Sequence, residues 1–111
     1  MDVSREQHGM VTVLGLRGGL NHDSVEDLMA EIASCRASGA FRIVLEIRDV
    51  PLIDSAGLEA IQTLVIELGR RGGDLCLAGV NKVCHDIFTA TRMESLVRVY
   101  DDVPSAVRSF T

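Results

Sequence analysis

The sequence predicts an α/β fold: a small, mostly parallel or mixed sheet of four to five strands packed with about four helices. Three observations lead there. Strand-like and helix-like patterns alternate in the order β(β)αβαβαβα, and strands separated by helices imply parallel neighbours joined by right-handed crossovers. Four apolar stripes recur at helical spacing, each able to cover part of a sheet. A length of 111 residues, with 47% hydrophobic and 24% charged, suits one core in one domain spanning residues 1–111 and argues against disorder.

Each element has its own signal. Met10–Arg17 (MVTVLGLR) is apolar on both faces and therefore central, with a short, weaker edge strand expected over residues 2–8. Asn21-His22-Asp23 starts the first helix, Asp23 standing three before Glu26 in a capping-box arrangement. Val25, Leu28, Met29 and Ile32 form its apolar face, and Gly39 ends it. Phe41–Arg48 alternates with period two, so Phe41, Ile43, Leu45 and Ile47 give one buried face. Leu58, Ile61, Leu64, Val65 and Leu68 mark a second helix, closed by Gly69 or by Gly72-Gly73. Asp74–Gly79 is a third strong strand. Val80, Val83, Cys84, Ile87 and Phe88 stripe a third helix, and Val97–Tyr100 is a short strand. Asp101-Asp102-Val103-Pro104 opens the last helix, with Val103, Ala106, Val107 and Phe110 on one face.

Composition narrows the function classes. The longest stretch free of Asp, Glu, Lys and Arg is Gln7–Leu16, far short of the ~18 apolar residues of a spanning helix. Asp2 and Glu6 argue against a signal peptide, so a cytosolic location is expected. Cys35, Cys76 and Cys84 are odd in number and lack a CxxC spacing, which disfavours disulfide scaffolds and zinc sites. No cofactor or metal is expected. The net charge of −5 is uneven: residues 21–67 hold nine acids against Arg36, Arg42 and Arg48, a net of −6. That segment is either a solvated acidic face or a surface for a basic protein, and it disfavours nucleic acid. Gly69-Arg70-Arg71-Gly72-Gly73 lacks the Gly-Lys-Ser/Thr ending of a P-loop, and Arg70-Arg71 alone is too small for a nucleic-acid patch.

Loops leaving strand C-termini are where such folds build function. After Phe41–Arg48 comes Asp49-Val50-Pro51-Leu52-Ile53-Asp54-Ser55-Ala56-Gly57. Asp54 suits a helix N-cap, which leaves the Ser55 hydroxyl near the first turn. Gly57 inside that turn costs about 1 kcal/mol relative to Ala, so a close approach by another chain or by the preceding loop is expected there. Three readings of Ser55 stand on residue types alone: an incidental serine after a cap, a nucleophile, or a phosphoacceptor. A nucleophile elbow needs Gly at position 53, where this chain has Ile53, and His8, His22 and His85 bear no distinctive relation to Ser55.

Three segments then carry a resemblance: Val44-Leu45-Glu46-Ile47, Val50-Pro51-Leu52-Ile53-Asp54-Ser55-Ala56-Gly57-Leu58, and Gly72-Gly73-Asp74-Leu75-Cys76-Leu77-Ala78-Gly79. The chain resembles the STAS domain family, and within it the bacterial anti-sigma factor antagonists, with Leu16–Asn21 fitting the family's Gly-x-Leu-Asp turn. The resemblance implies a partner switch without enzymatic activity. Unmodified antagonist binds an anti-sigma factor that is also a serine kinase, which frees a sigma factor. Phosphorylation of the serine after the motif aspartate, here Ser55, releases the complex, and a PP2C-type phosphatase reverses it. ATP and Mg²⁺ belong to the kinase. Implied partner-binding residues are Asn21, Asp54, Ser55, Ala56, Gly57 and Leu58, in a monomer or weak dimer without nucleic acid or membrane. Two departures stand out: Asn21 replaces the family's usual aspartate, and Ala56 stands where many members have a second serine. The alternative is a STAS scaffold or a subunit of a stress-signalling or transport assembly, with Ser55 regulatory or vestigial.

Overall fold

The computed structural model describes residues Met1–Thr111. Five strands form one sheet in the order β1-β2-β3-β4-β5: β1 Asp2–His8, β2 Val11–Arg17, β3 Arg42–Asp49, β4 Asp74–Ala78 and β5 Arg98–Tyr100. The β1–β2 hairpin is antiparallel and every other pairing is parallel. The helices are α1 Val25–Ala37, α2 Ser55–Arg70, α3 Lys82–Thr91 and α4 Val103–Arg108. A 3-10 turn, Met93–Ser95, which the sequence patterns do not reveal, links α3 to β5.

Burial explains the layers. The larger core joins Leu14, Leu16, Ile43, Leu45, Ile47, Leu75 and Leu77 of the sheet to α1, α2 and α3. A smaller core on the opposite face joins Val11, Val13, Val44, Cys76 and Ala78 to Ala106 of α4. β2, β3 and β4 therefore bury both faces, one under the crossover helices α1, α2 and α3 and the other under the C-terminal helix α4. This corrects the single buried face expected of β3: Val44 is fully buried beneath α4. Phe41 precedes that strand and is 40% exposed, while its carbonyl accepts a hydrogen bond from the Asp74 amide at 2.8 Å.

Helix ends also depart from expectation. No Asp23–Glu26 capping box forms, because α1 begins one residue later than Asp23 would cap, with Ser24 in the N-cap position. The Asn21 Oδ1 accepts from the amides of Asp23 and Ser24 at 2.9 and 3.2 Å, and the Ser24 Oγ donates to the Gly19 carbonyl at 2.7 Å. Helix α2 runs through Gly69 and stops where Gly72 takes φ +76°, a conformation open to glycine. Asn81 caps α3, so Val80 lies before the helix and Val83 is exposed; Cys84 and Phe88 carry the buried stripe. Asp102 caps α4 through the Ser105 amide, with Pro104 in the first turn.

All three cysteines are buried and unpaired. Burial pushes the Cys76 thiol from 9.0 up to about 11 and raises Cys35 and Cys84 too. Unfolded thiols then lose protons at lower pH than folded ones, so this stabilisation is full below pH 9.0 and fades as pH rises toward 11. The melting temperature is expected to fall across that window, and less steeply for Cys76→Ala. Equal slopes for the two proteins would remove Cys76 from the effect.

Candidate functional site

The loop from β3 into α2 is tied to the loop from β2 into α1. The Leu20 amide donates to the Leu52 carbonyl at 3.0 Å, and the Asp54 amide donates to the Leu20 carbonyl at 3.1 Å. Leu20 and Ile53 thus form one isolated parallel bridge, with both side chains buried. Leu52 points away and is 57% exposed, so only half of the Leu52-Ile53 pair packs inward.

Asp54 is the N-cap of α2. Its Oδ1 accepts from the Gly57 amide at 3.0 Å, and its Oδ2 accepts from the His22 amide at 3.3 Å. One carboxylate therefore closes the helix start and fastens the neighbouring loop to it. Replacing Asp54 with Ala is expected to remove about 0.5–2 kcal/mol of stability. Asp54→Asn keeps an oxygen acceptor for Gly57 and should retain most of it. Thermal denaturation of both variants tests the cap, and equal melting temperatures would show that Oδ1 is dispensable.

Gly57 has a steric explanation. A β-carbon there would lie 2.6 Å from the Leu20 carbonyl oxygen and 2.9 Å from both Ile53 Cγ2 and Leu20 Cγ. The close approach expected from the sequence is made within the chain, by Leu20 and by Ile53 of the preceding loop. Gly57 is buried and faces inward, whereas Ala56 and Leu58 are half-buried and Asn21 and Ser55 are exposed. The structure thus brings Asn21, Asp54, Ser55, Ala56 and Leu58 to one end of the sheet, over a Gly57 contact that sets their spacing.

Ser55 is the first residue of α2, at the positive end of the helix dipole. Glu59, one turn on, is exposed on the same side of the helix. Two shallow grooves flank this ridge. One, between α1 and α2, is lined by Val25, Met29, Ala56, Glu59, Ala60 and Thr63. The other starts at Ser55 and passes Leu58 and Ile66 to reach Met93. The roles of His22 and Leu20 involve backbone atoms and long-range contacts, for which residue type carries no signal.

A family model for the STAS domain matches residues 2–106. The chain belongs to the STAS domain family. An anti-sigma F factor antagonist of Paenibacillus polymyxa is 26% identical over 110 residues, covering 96% of this chain and 92% of that protein. A Thermotoga maritima protein described as a candidate anti-sigma factor antagonist superposes with a TM-score of 0.89 at 21% identity, over 96% of this chain and 92% of that one. The Bacillus cell fate determinant SpoIIAA, solved in its phosphorylated form, superposes with a TM-score of 0.73 at 20% identity, covering 99% and 100% of the two chains. The mixed five-stranded sheet with four helices is the STAS fold, as the sequence resemblance implied. No helix of this STAS domain is long and apolar enough to cross a membrane.

Proposed function

We propose that residues 1–111 form a single STAS domain that acts as an anti-sigma factor antagonist in a partner-switching pathway. The unmodified chain binds an anti-sigma factor that is also a serine kinase, phosphorylation of Ser55 releases it, and a PP2C-type phosphatase restores it. The chain supplies a surface and a hydroxyl, not catalysis; ATP and Mg²⁺ belong to the kinase. It works in the cytosol as a monomer or weak dimer. The face presented to the kinase consists of Asn21, Asp54, Ser55, Ala56 and Leu58, spaced by the buried Gly57.

The observation that carries this reading is the exposed Ser55 hydroxyl at the start of α2, between the capping carboxylate of Asp54 and that of Glu59. A phosphate there adds about −1.5 to −2 charges between two acids. The helix dipole returns only about 0.3–1 kcal/mol of the repulsion. Burying the dianion in an interface fitted to a neutral hydroxyl costs several kcal/mol unless it is paired. Each 1.4 kcal/mol is tenfold in affinity, so release needs no refolding. Incubation with the cognate kinase and Mg-ATP, followed by mass-spectrometric mapping, is expected to place one phosphate on Ser55. Phosphate on another residue, or none, overturns the assignment.

A further inference from the structure

The parallel topology sorts charge to the two ends of the molecule. Strands β2, β3, β4 and β5 all start at the pole opposite Ser55, and α1, α2 and α3 all end there. That pole gathers six arginines from distant parts of the chain: Arg36, Arg42, Arg70, Arg71, Arg92 and Arg98. Four carboxylates accompany them, Glu6, Glu67, Asp74 and Glu94, of which Glu67 pairs with Arg36 at 3.6 Å and Asp74 pairs with Arg98. Arg42, Arg70, Arg71 and Arg92 are exposed and outside any ion pair. The only lysine, Lys82, lies at the other end with Arg17 and Arg48, and pairs with Asp86 at 3.1 Å.

This end is held rigidly. The Arg71 and Gly73 amides donate to the Leu68 carbonyl at 3.0 and 2.8 Å, and the Asp74 amide donates to the Phe41 carbonyl at 2.8 Å. A β-carbon on Gly73 would collide with that Phe41 oxygen, so the turn carrying Arg70 and Arg71 packs against the residue before β3 as closely as only glycine permits. Arg36, Arg70 and Arg71 line one shallow cleft together with Glu67. Beside them, Met10 and Phe41 are 75% and 40% exposed.

We propose that this arginine pole is a second docking surface, and that its occupant is an acidic segment of a protein partner with an apolar side chain among its carboxylates. Guanidinium groups bind carboxylates in a planar, two-point geometry, and the exposed Met10 and Phe41 suit an apolar neighbour. A protein segment fits better than the other polyanions. A short segment can set its few carboxylates against Arg42, Arg70, Arg71 and Arg92 and clear of the four acids, whereas a membrane plane presents continuous negative charge to all of them. The net charge of −5 opposes a long nucleic acid and a second copy of the chain more than it opposes a short segment with few charges. The surface lies away from Ser55, so it remains available in both phosphorylation states and does not depend on the switch.

The test uses the intact chain and a fluorescein-labelled peptide rich in glutamate with one phenylalanine, and a glutamine-substituted peptide as control. The acidic peptide is expected to bind with an affinity that falls as salt rises. Arg70→Glu/Arg71→Glu is expected to weaken it by about tenfold or more, while the matched reversal Arg17→Glu/Lys82→Glu at the other pole leaves it bound. Circular dichroism and melting temperature establish that both variants fold. No binding at low salt, equal binding of the glutamine peptide, or indifference to the Arg70/Arg71 reversal overturns the proposal. So does stronger capture by phosphatidylserine vesicles, or low-salt self-association that the same reversal abolishes, each of which assigns the pole to a different occupant.

Discussion

Ser55→Asp is expected to bind the anti-sigma factor kinase about tenfold or more weakly than the unmodified chain, while Ser55→Ala stays bound in the presence of Mg-ATP. The two variants separate charge from phosphorylation. Alanine removes the acceptor hydroxyl and leaves a neutral, low-profile surface at the first position of α2. Aspartate places one negative charge between Asp54 and Glu59, less than the −1.5 to −2 of phosphoserine, so its effect should be smaller than that of the phosphate. Because Ser55 is exposed and its side chain does not form the cap, neither change should lower the melting temperature by more than a degree or two. Titration calorimetry with the isolated kinase domain measures the difference. Indistinguishable affinities for the alanine and aspartate variants would mean that charge at Ser55 is not the switch.

The second large effect is on stability. Gly57→Ala is expected to remove about 1–3 kcal/mol, because the new β-carbon meets a backbone oxygen that cannot move without loosening the Leu20–Asp54 hydrogen bond. The natural control lies further along the same helix. Gly69 has nothing within 4 Å of a built β-carbon, so Gly69→Ala should stabilise by up to about 1 kcal/mol through helix propensity alone. One substitution type in one helix thus has opposite signs at its two ends. A Gly57→Ala protein that melts with or above the parent would show that the Leu20 contact yields easily. If it holds, weakened kinase binding by Gly57→Ala beyond its loss of stability would tie the loop junction to partner recognition.

The local parts of this structure were legible in the residue pattern, and the non-local parts were not. Every helix and the strands β2 to β5 announce themselves by residue pattern, whereas β1 carries only a weak signal, and the placement of Ser55 at a strand-to-helix junction follows from Asp54 and from the apolar stripe after it. Gly57 signalled a close approach, but only the fold identifies Leu20 as one of the residues making it. The N-cap of α1 is Ser24 rather than Asp23, and it is Asn21 that reaches forward to two amides in the turn, a geometry that several of the neighbouring polar residues could equally supply. The burial of Val44 depends on α4, which arrives from the far end of the chain. Likewise Arg70-Arg71 alone is too small for a nucleic-acid patch, and Arg36, Arg42 and Arg92 join it only through the parallel topology.

The strand order has a consequence for how the chain reaches this structure. Because β1 to β5 stand in the sheet in the order in which they occur in the chain, no strand has to insert between two that are already paired. Each new pairing closes a loop no longer than one helix and its turns, and each extends an edge left open by the previous one. Loop-closure entropy is thereby met in small, similar steps. Assembly can advance from the β1–β2 hairpin outward without backtracking, and a nascent chain could add each β-strand with its helix as it emerges from the ribosome.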